Sequence, residues 1–160
     1  MTVDTTDEAI AQVQSLEEPW FIWVAYNASH KPFHVPPDGL NPGGVDSSSS
    51  DLALFDATTQ ALDLEIGRLL DALTDEQWAT TTVIYAGDNG TPSEVIVEPW
   101  DAERHKGTVY EGGVNVPFIV ASPLVAEPGS ESDALVHFVD LLPTVADLAE
   151  HDLIGYVDDL

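Results

Sequence analysis

An aspartate and an asparagine, Asp88 and Asn89, stand between an apolar run and Gly90. Their side chains offer hard oxygen donors, which suit Ca²⁺ or Mg²⁺ and suit softer metals poorly. The same stretch contains a strong turn dipeptide, because Asn and Gly both tolerate a positive φ angle. The residues alone therefore favour a tight turn over a metal site, although a turn and metal ligation are compatible.

Basic residues are so rare in this chain that their positions are informative. The chain has 4 basic residues against 29 acidic ones and a net charge of −25. Most of the basic residues, and several histidines, lie in two long polar segments, residues 28–50 and 88–113. These residues are His30, Lys31, His34, Arg104, His105 and Lys106. A chain this acidic that handles an anion needs local positive charge to offset its own field. The alternative is chance, and the residues by themselves leave both interpretations open.

The overall composition restricts the class of protein. The chain has 160 residues, of which 44% are hydrophobic, so it can form a core and differs from a disordered acidic tail. The acidic excess argues against nucleic acid and anionic membranes as partners, because both are bound through Lys and Arg. It is typical of a halophilic, acidic proteome, in which salt screens the self-repulsion. The absence of cysteine excludes disulfides, thiolate zinc sites and a cysteine nucleophile.

Targeting signals are not apparent in the sequence. Residues 1–10 are acidic and lack the apolar stretch of a signal peptide. No apolar run reaches the ~18–20 residues that a membrane span requires. We therefore expect a cytoplasmic protein if Met1 is the true start.

The apolar pattern predicts alternating helices and strands. Short apolar runs predict three strands: residues 19–27, 81–87 and 114–123. Apolar residues at helical spacing predict three helices: residues 4–18, 51–73 and 136–150. The first strand is continuously apolar, so we expect it to be buried on both faces. The order of strand, helix and strand favours parallel pairing through a right-handed crossover.

Local signals refine these elements. Asp51 is a plausible N-cap of the long helix, and Pro143 suits the first turn of the last one. Pro117 indicates an edge or a bulge in the third strand. Arg68 is expected to pair with an acid such as Glu65 on its own helix.

The predicted topology suggests where a ligand would bind. In an open α/β sheet, ligands bind beyond the carboxyl ends of the strands. The polar segments 28–50 and 88–113 follow two predicted strands, so we expect their functional side chains to converge. A loop as long as the first is uncommon in a compact domain and tends to be functional.

Five segments of the sequence together resemble a known family. In order they are PWFIWVAYNASHKPFHVP, ALDLEIGRLLDAL, TTVIYAGDNGTP, KGTVYEGGVNVPFIVASP and VHFVDLLPTVADL. They resemble the second half of the catalytic domain of sulfatases, in the alkaline-phosphatase superfamily, over about residues 19–150. The resemblance implies an α/β fold with a mostly parallel sheet flanked by helices, lacking the N-terminal strands. The whole chain, residues 1–160, would then be one partial sulfatase catalytic domain.

The resemblance also implies roles for particular residues. Asp88 and Asn89 match the family's ligands to a divalent cation, usually Ca²⁺, with Mg²⁺ as the alternative. His30 matches the histidine that contacts the sulfate ester and helps to protonate the leaving oxygen, a role suited to imidazole. Lys106 matches the lysine that binds the sulfate oxygens. Without the resemblance, His30 would be interpreted as a solvated loop histidine and Lys106 as a surface lysine.

Other residues receive no fixed role from the resemblance. The candidates for lining the same pocket are Lys31, His34, Arg104 and His105. His137 is expected in or near the core and His151 in solvent, while Gly112 and Gly113 are expected to serve backbone geometry.

Parts of the family pattern are missing from this chain. The formylglycine motif, Cys/Ser-x-Pro-x-Arg, is absent, because there is no cysteine and neither Arg68 nor Arg104 follows a proline by two residues. The family's early aspartate pair is also absent, and we interpret YVDDL at 156–160 as a coincidence. The chain alone is therefore expected to hydrolyse sulfate esters poorly or not at all. A separate N-terminal half is an expected partner, and its absence would leave a sheet edge exposed.

Two alternatives to a sulfuric ester hydrolase remain open. One is a phosphatase, phosphodiesterase or phosphonate hydrolase of the same superfamily. The other is a non-catalytic remnant that binds a metal ion or an anion. The substrate expected for the sulfatase interpretation is a small anionic sulfate ester.

Overall fold

The computed structural model describes residues 2–150 of the chain. Contacts divide the chain into two compact units. The first contains the chain up to Leu16 together with Phe21–Ala126, and the second contains Glu17–Trp20 together with the chain from Glu127 onward. All the predicted site residues that the structure describes lie in the first unit.

The elements of the first unit are mainly helical. They are α1 (Thr2–Ser15), α2 (Asp51–Leu70), α3 (Asp75–Trp78), β1 (Val83–Ala86), 3₁₀ turns at Ser93–Val95 and Ala102–Arg104, α4 (Glu111–Val114) and β2 (Phe118–Ala121). The second unit has a 3₁₀ turn at Phe138–Asp140 and helix α5 (Leu141–Leu148). Within residues 2–150, none of the helices combines the length and apolar character of a membrane span.

Helices α1 and α2 form the core of the first unit. Both were predicted from apolar periodicity, and both are present with shifted ends. The side chains that they bury recur every three or four residues, as one helix face requires. These residues are Thr6, Ala9, Val13, Leu54, Ala57, Thr58, Ala61, Leu62 and Glu65. Val95, in the 3₁₀ turn after β1, is 4% exposed and belongs to the same core.

The cap of α2 differs from the prediction by one residue. Ser50, not Asp51, is the N-cap, and its hydroxyl oxygen accepts a hydrogen bond from Ala53 N at 3.3 Å. Asp51 is instead the first helical residue, where its negative charge faces the positive end of the helix dipole. The start of α2 is therefore stabilised locally, by the Ser50 hydroxyl and by the charge of Asp51.

The two strands pair in an antiparallel manner. Val83 lies opposite Ala121 and Ala86 lies opposite Phe118, in a two-stranded sheet. The predicted strands at 81–87 and 114–123 are thus present in shortened form, and Val114 belongs to α4 instead. The mostly parallel sheet that we predicted is not confirmed, because these two strands are the whole sheet within residues 2–150.

Residues 19–27 do not form the predicted strand. These residues pair with no strand in the described part of the chain. The predicted strand and its predicted parallel pairing with residues 81–87 are therefore both wrong. The expected burial on both faces is also wrong, since Phe21 is 63% exposed and Trp23 is 69% exposed. An apolar run alone does not provide the neighbouring strands that would bury it.

Candidate functional site

Asp88 and Asn89 come one residue after β1, beyond Gly87, whose N–H continues the sheet by donating to Pro117 O at 3.0 Å. Asp88 is exposed and Asn89 is half-buried. Neither Asn89 nor Gly90 has a positive φ angle, so the Asn-Gly turn favoured by the residues alone is not the one present. A β-carbon at position 90 would lie 1.9 Å from Gly112 O, so close packing is the reason for glycine there.

The segment that carries Lys106 is packed against the Asp88–Gly90 loop. Gly90 N donates to Gly113 O at 3.1 Å, and Lys106 N donates to Thr91 O at 2.9 Å. Gly113 lets the Lys106 segment fold closely on itself, because a β-carbon there would lie 2.2 Å from Thr108 O. The expectation that the Gly112–Gly113 pair serves backbone geometry is confirmed.

The segment that carries His30 contacts the same region through Lys31. The Lys31 ammonium forms an ion pair with Glu94, in the 3₁₀ turn that follows the Asp88–Gly90 loop. Ser29 Oγ also contacts Thr59 Oγ1 on α2. The polar segments 28–50 and 88–113 therefore meet, although their residues are far apart in sequence.

Lys106 differs from the other basic residues in its surroundings. Lys31 pairs with Glu94, Arg68 pairs with Asp7 and Glu65, and Arg104 pairs with Asp101 at 3.3 Å. The Arg104 guanidinium carbon also lies 4.7 Å from the centre of the Tyr110 ring. Within residues 2–150, Lys106 is the basic residue without a carboxylate partner, and it is half-buried. Its ammonium is thus available to an anion.

In each of the three histidines of the polar segments, Nδ1 contacts a backbone carbonyl oxygen. His30 Nδ1 lies 2.8 Å from Lys31 O, and a carbonyl can only accept a hydrogen bond. The Nδ1 atom of His30 therefore carries the hydrogen, and its Nε2 atom remains for other partners. His34 repeats this contact with Pro32 O at 3.1 Å, and His105 Nδ1 contacts Lys106 O.

His137, in the second unit, has the opposite arrangement. Its Nδ1 atom accepts a hydrogen bond from Val139 N at 3.2 Å, so the hydrogen of a neutral ring is on Nε2. The side chain is exposed and caps the 3₁₀ turn Phe138–Asp140, so the prediction of a position in or near the core is wrong. His151, expected in solvent, lies outside the described residues.

The described residues do not form a metal site by themselves. Residues 2–150 contain no group of three or more His, Asp or Glu side chains that could hold a metal ion. Asp88 and Asn89 supply two oxygen-bearing side chains, whereas Ca²⁺ takes about 6–8 oxygen ligands. The donors present are of the right kind but too few, so they do not by themselves fit the cation.

Glu94 is the residue that sequence reasoning missed. Its hydrogen bond with Lys31 lowers the pKa of the Glu94 carboxyl below its usual value. Glu94 and Lys31 are 63 residues apart, and no spacing rule connects two loops at that separation. By contrast, the predicted pair of Arg68 with Glu65 is confirmed at 2.6 Å, because three residues on a helix place side chains on one face. The roles of His30, Asp88, Asn89 and Lys106 remain predictions.

Comparison with known proteins identifies the family. The sulfatase family model matches residues 1–151. The uncharacterized sulfatase YdeN of Escherichia coli (strain K12) is 27% identical over 150 residues, covering 91% of this chain and 27% of YdeN. Arylsulfatase J of Mus musculus is 31% identical over 144 residues, covering 89% of this chain and 23% of the relative.

A solved structure shows the same arrangement of the chain. Ps i-CgsB superimposes with a TM-score of 0.83 at 28% identity, over 97% of this chain and 35% of Ps i-CgsB. The likeness supports an alkaline-phosphatase-like α/β fold at the level of the domain. The chain spans about a quarter of the length of the curated relatives that it matches. Because the family model matches nearly all of it, this chain belongs to the sulfatase family.

Proposed function

We propose that this chain is the sulfate-binding part of a hydrolase domain whose whole form cleaves sulfuric esters. The observation that supports this most directly is the anchoring of Lys106 beside the Asp88–Gly90 loop by the bond from Lys106 N to Thr91 O at 2.9 Å. Among the described basic residues, Lys106 is the one that no carboxylate neutralises. In a chain with a net charge of −25, such a cation is the natural contact for an anionic sulfate ester.

Lys106 and His30 have complementary roles in this proposal. The Lys106 ammonium binds the oxygens of the sulfate group and stabilises the charge that develops on them during transfer. His30, with Nδ1–H directed to a backbone carbonyl, presents Nε2 to the substrate. In the protonated ring, Nε2–H can donate its proton to the leaving oxygen, which is general acid catalysis.

A divalent cation is the cofactor of the proposed domain. Sulfatases are generally metal-dependent, and Asp88 and Asn89 offer hard oxygen donors for Ca²⁺ or Mg²⁺. When bound, such an ion would offset negative charge on the sulfate group. Its other ligands would come from outside the described residues. The roles proposed for Lys106 and His30 depend only on the side chains of this chain.

The nucleophile is also proposed to come from elsewhere in the domain. The chain has no cysteine and no serine version of the formylglycine motif. The 160 residues alone should therefore bind an anion without turning over an ester. The proposed partners are a small sulfate ester and the complementary half of the domain, and not nucleic acid or a membrane.

A chimaera tests the proposed function. This chain, joined to the part of arylsulfatase J outside its matched region, should cleave 4-nitrophenyl sulfate. Lys106→Ala should lower kcat/KM by about 10²-fold or more, because it removes a charge from the transition state. Arg104→Ala is the matched control, because its guanidinium is already engaged by Asp101 and Tyr110. Equal losses in the two variants would contradict the role of Lys106.

Two further measurements separate the alternatives. Faster cleavage of 4-nitrophenyl phosphate than of the sulfate would indicate a phosphatase of the same superfamily. Calorimetric titration of the chain with Ca²⁺ addresses the non-catalytic alternative. Tight Ca²⁺ binding by the chain alone, in an otherwise inactive chimaera, would indicate a metal-binding module.

A further inference from the structure

The dipeptide His-Lys occurs twice in this chain, as His30–Lys31 and as His105–Lys106. In each dipeptide, the histidine Nδ1 atom contacts the carbonyl oxygen of the lysine that follows it. The two dipeptides differ at the ammonium group. Lys31 is paired with Glu94, whereas Lys106 has no carboxylate partner within residues 2–150. One lysine is therefore held by the protein, and the other is open to a ligand.

The turn Ser93–Val95 fixes the position of Glu94. Val95 is 4% exposed and belongs to the core of the first unit, and the turn contacts α2. The Glu94 side chain points outward from this anchored turn and is 44% exposed. Its hydrogen bond with Lys31 lowers the pKa of the Glu94 carboxyl, so the group is a carboxylate. Glu94 thus offers Lys31 a negative charge at a fixed place.

The segment around His30–Lys31 is attached to α2 at two points. Before the dipeptide, Ser29 Oγ contacts Thr59 Oγ1. After it, the Phe33 ring packs edge to face on the Phe55 ring, with the ring centres 5.8 Å apart. The ion pair of the lysine is a third attachment, and it lies between these two points along the chain. The dipeptide is therefore held at the place where the histidine is presented.

Lys31 links the ion pair to the imidazole ring. Its ammonium is bound by Glu94, and its carbonyl oxygen lies 2.8 Å from His30 Nδ1. Because a carbonyl only accepts a hydrogen bond, this contact keeps the hydrogen on Nδ1 and leaves Nε2 for other partners. A displacement of Lys31 would move the carbonyl that holds the ring. The residue that fixes Lys31 therefore also controls the tautomer and orientation of His30.

We infer that Glu94 is a positioning residue for His30, which it acts on by holding Lys31 so that the imidazole presents Nε2 to the substrate. A role in stability explains the ion pair poorly, because the Lys31 and Glu94 side chains are 47% and 44% exposed and such pairs contribute little. The inference rests on the proposed function only in taking His30 as the group that protonates the leaving oxygen.

NMR of the imidazole nitrogens tests the inference on the chain by itself. Under mildly alkaline conditions, where imidazole is neutral, the two ring nitrogens of His30 should show the pattern of an Nδ1–H tautomer. In Glu94→Gln the ring should exchange between both tautomers, so its two nitrogen shifts should move toward each other. His105 should keep its pattern, since its contact does not involve Glu94. Unchanged His30 shifts, or equal changes at both histidines, would overturn the inference.

Two further variants isolate the ion pair as the cause. Glu103→Gln removes the same charge from a side chain that forms no ion pair in the described part of the chain, and it should leave the His30 shifts unchanged. Lys31→Met should reproduce the effect of Glu94→Gln, and the double variant should match either single one. Effects that add would mean that the two residues act separately, and would overturn the inference.

The chimaera with the remainder of arylsulfatase J tests the consequence for catalysis. Glu94→Gln should lower kcat for phenyl sulfate by about tenfold or more, and kcat for 4-nitrophenyl sulfate by less than about twofold. The reason is that 4-nitrophenolate is a stable anion and leaves without a proton, whereas phenolate needs general acid catalysis. Equal losses with the two esters would indicate a merely structural role and would overturn the inference.

The failure of this inference is distinguishable from the failure of the proposed function. Lys106→Ala should lower turnover of both esters, because it acts on the sulfate group and not on the leaving oxygen. An unsubstituted chimaera that cleaves neither ester would contradict the proposed function. The NMR comparison on the isolated chain would still decide whether Glu94 positions His30.

Discussion

The helices of the first unit are buried to a greater degree than its extended segments. Helices α1 and α2 bury one face against each other, with Val13 5% exposed and Leu62 8% exposed. The residues of strand β2 remain exposed, with Ile119 58% exposed and Val120 43% exposed. The same chain thus contains a buried helical core and an exposed strand.

Backbone hydrogen bonding explains this difference. A helix satisfies its own N–H and C=O groups and needs a partner only for one apolar face, which α1 and α2 provide for each other. A strand depends on neighbouring strands for its hydrogen bonds, and within residues 2–150 strands β1 and β2 have only each other. The two long helices are therefore well buried, whereas strand β2 stays exposed.

The largest expected effect comes from truncating the helical core. Leu62→Ala should lower the free energy of unfolding by about 2–5 kcal/mol, because it leaves a cavity between α1 and α2. Ile119→Ala removes a side chain of the same size from β2, where it is 58% exposed, and should change the free energy by less than about 0.5 kcal/mol. Urea denaturation of both variants measures the contrast. A comparable loss at both positions would show that the sheet is covered in solution.

A pair of glycine substitutions compares the loop at Gly90 with helix α2. Gly90→Ala places a β-carbon 1.9 Å from Gly112 O, so the two loops must separate, at a cost of about 1–3 kcal/mol. Gly67→Ala, on α2, meets nothing within 4 Å and should stabilise the helix by about 0.5–1 kcal/mol. Thermal unfolding should shift in opposite directions for the two variants. A neutral result at Gly90 would contradict the close packing that anchors Lys106.

A smaller effect is expected at the start of α2. Ser50→Ala removes the hydroxyl that accepts from Ala53 N, and should cost about 1 kcal/mol. Ser47→Ala, in the same serine run but outside the helix, is the matched control and should be neutral. Circular dichroism during urea denaturation measures the stability of both variants. Equal behaviour of the variants would mean that Ser50 does not cap the helix in solution.

The smallest effect is expected at the ion pair that joins the polar segments. Replacing Lys31 with Met removes the hydrogen bond that lowers the pKa of Glu94, so that pKa should rise toward its ordinary value. A lowered folded-state pKa stabilises the fold above the ordinary pKa of glutamate, and the contribution is lost as pH falls through the lowered value. NMR titration of the Glu94 carboxyl carbon in the two proteins measures the change. Both groups are exposed, so only a slight effect on stability is expected.

Elements with local causes were predictable from the sequence. The helix expected over 51–73 is α2 (Asp51–Leu70), because apolar periodicity and capping act within a few residues. The strand expected over 81–87 is present as Val83–Ala86, because a distant segment, β2, pairs with it. The predicted strand at 19–27 failed because strand formation depends on a neighbour that the local pattern does not contain.

The residues of the candidate site were proposed only through resemblance to a family, and their roles stay predictions. Asn89 and Gly90 have a good local explanation as a turn, and the structure shows that this explanation is wrong for their φ angles. Gly90 is required by Gly112, which approaches from a segment twenty-odd residues later and which no turn rule anticipates. The hydrogen bond from Lys106 N to Thr91 O is non-local in the same way.

The sequence alone determined the acidic character of this protein, its two long helices, the absence of cysteine from these 160 residues and its resemblance to sulfatases. These properties follow from composition and from interactions between residues that are near each other along the chain. Only the tertiary structure decided which of the described basic residues stays without a carboxylate partner, how the two polar segments meet, and that Phe21 and Trp23 remain exposed. Those features depend on contacts between distant residues, whose geometry is set by packing and not by local preference.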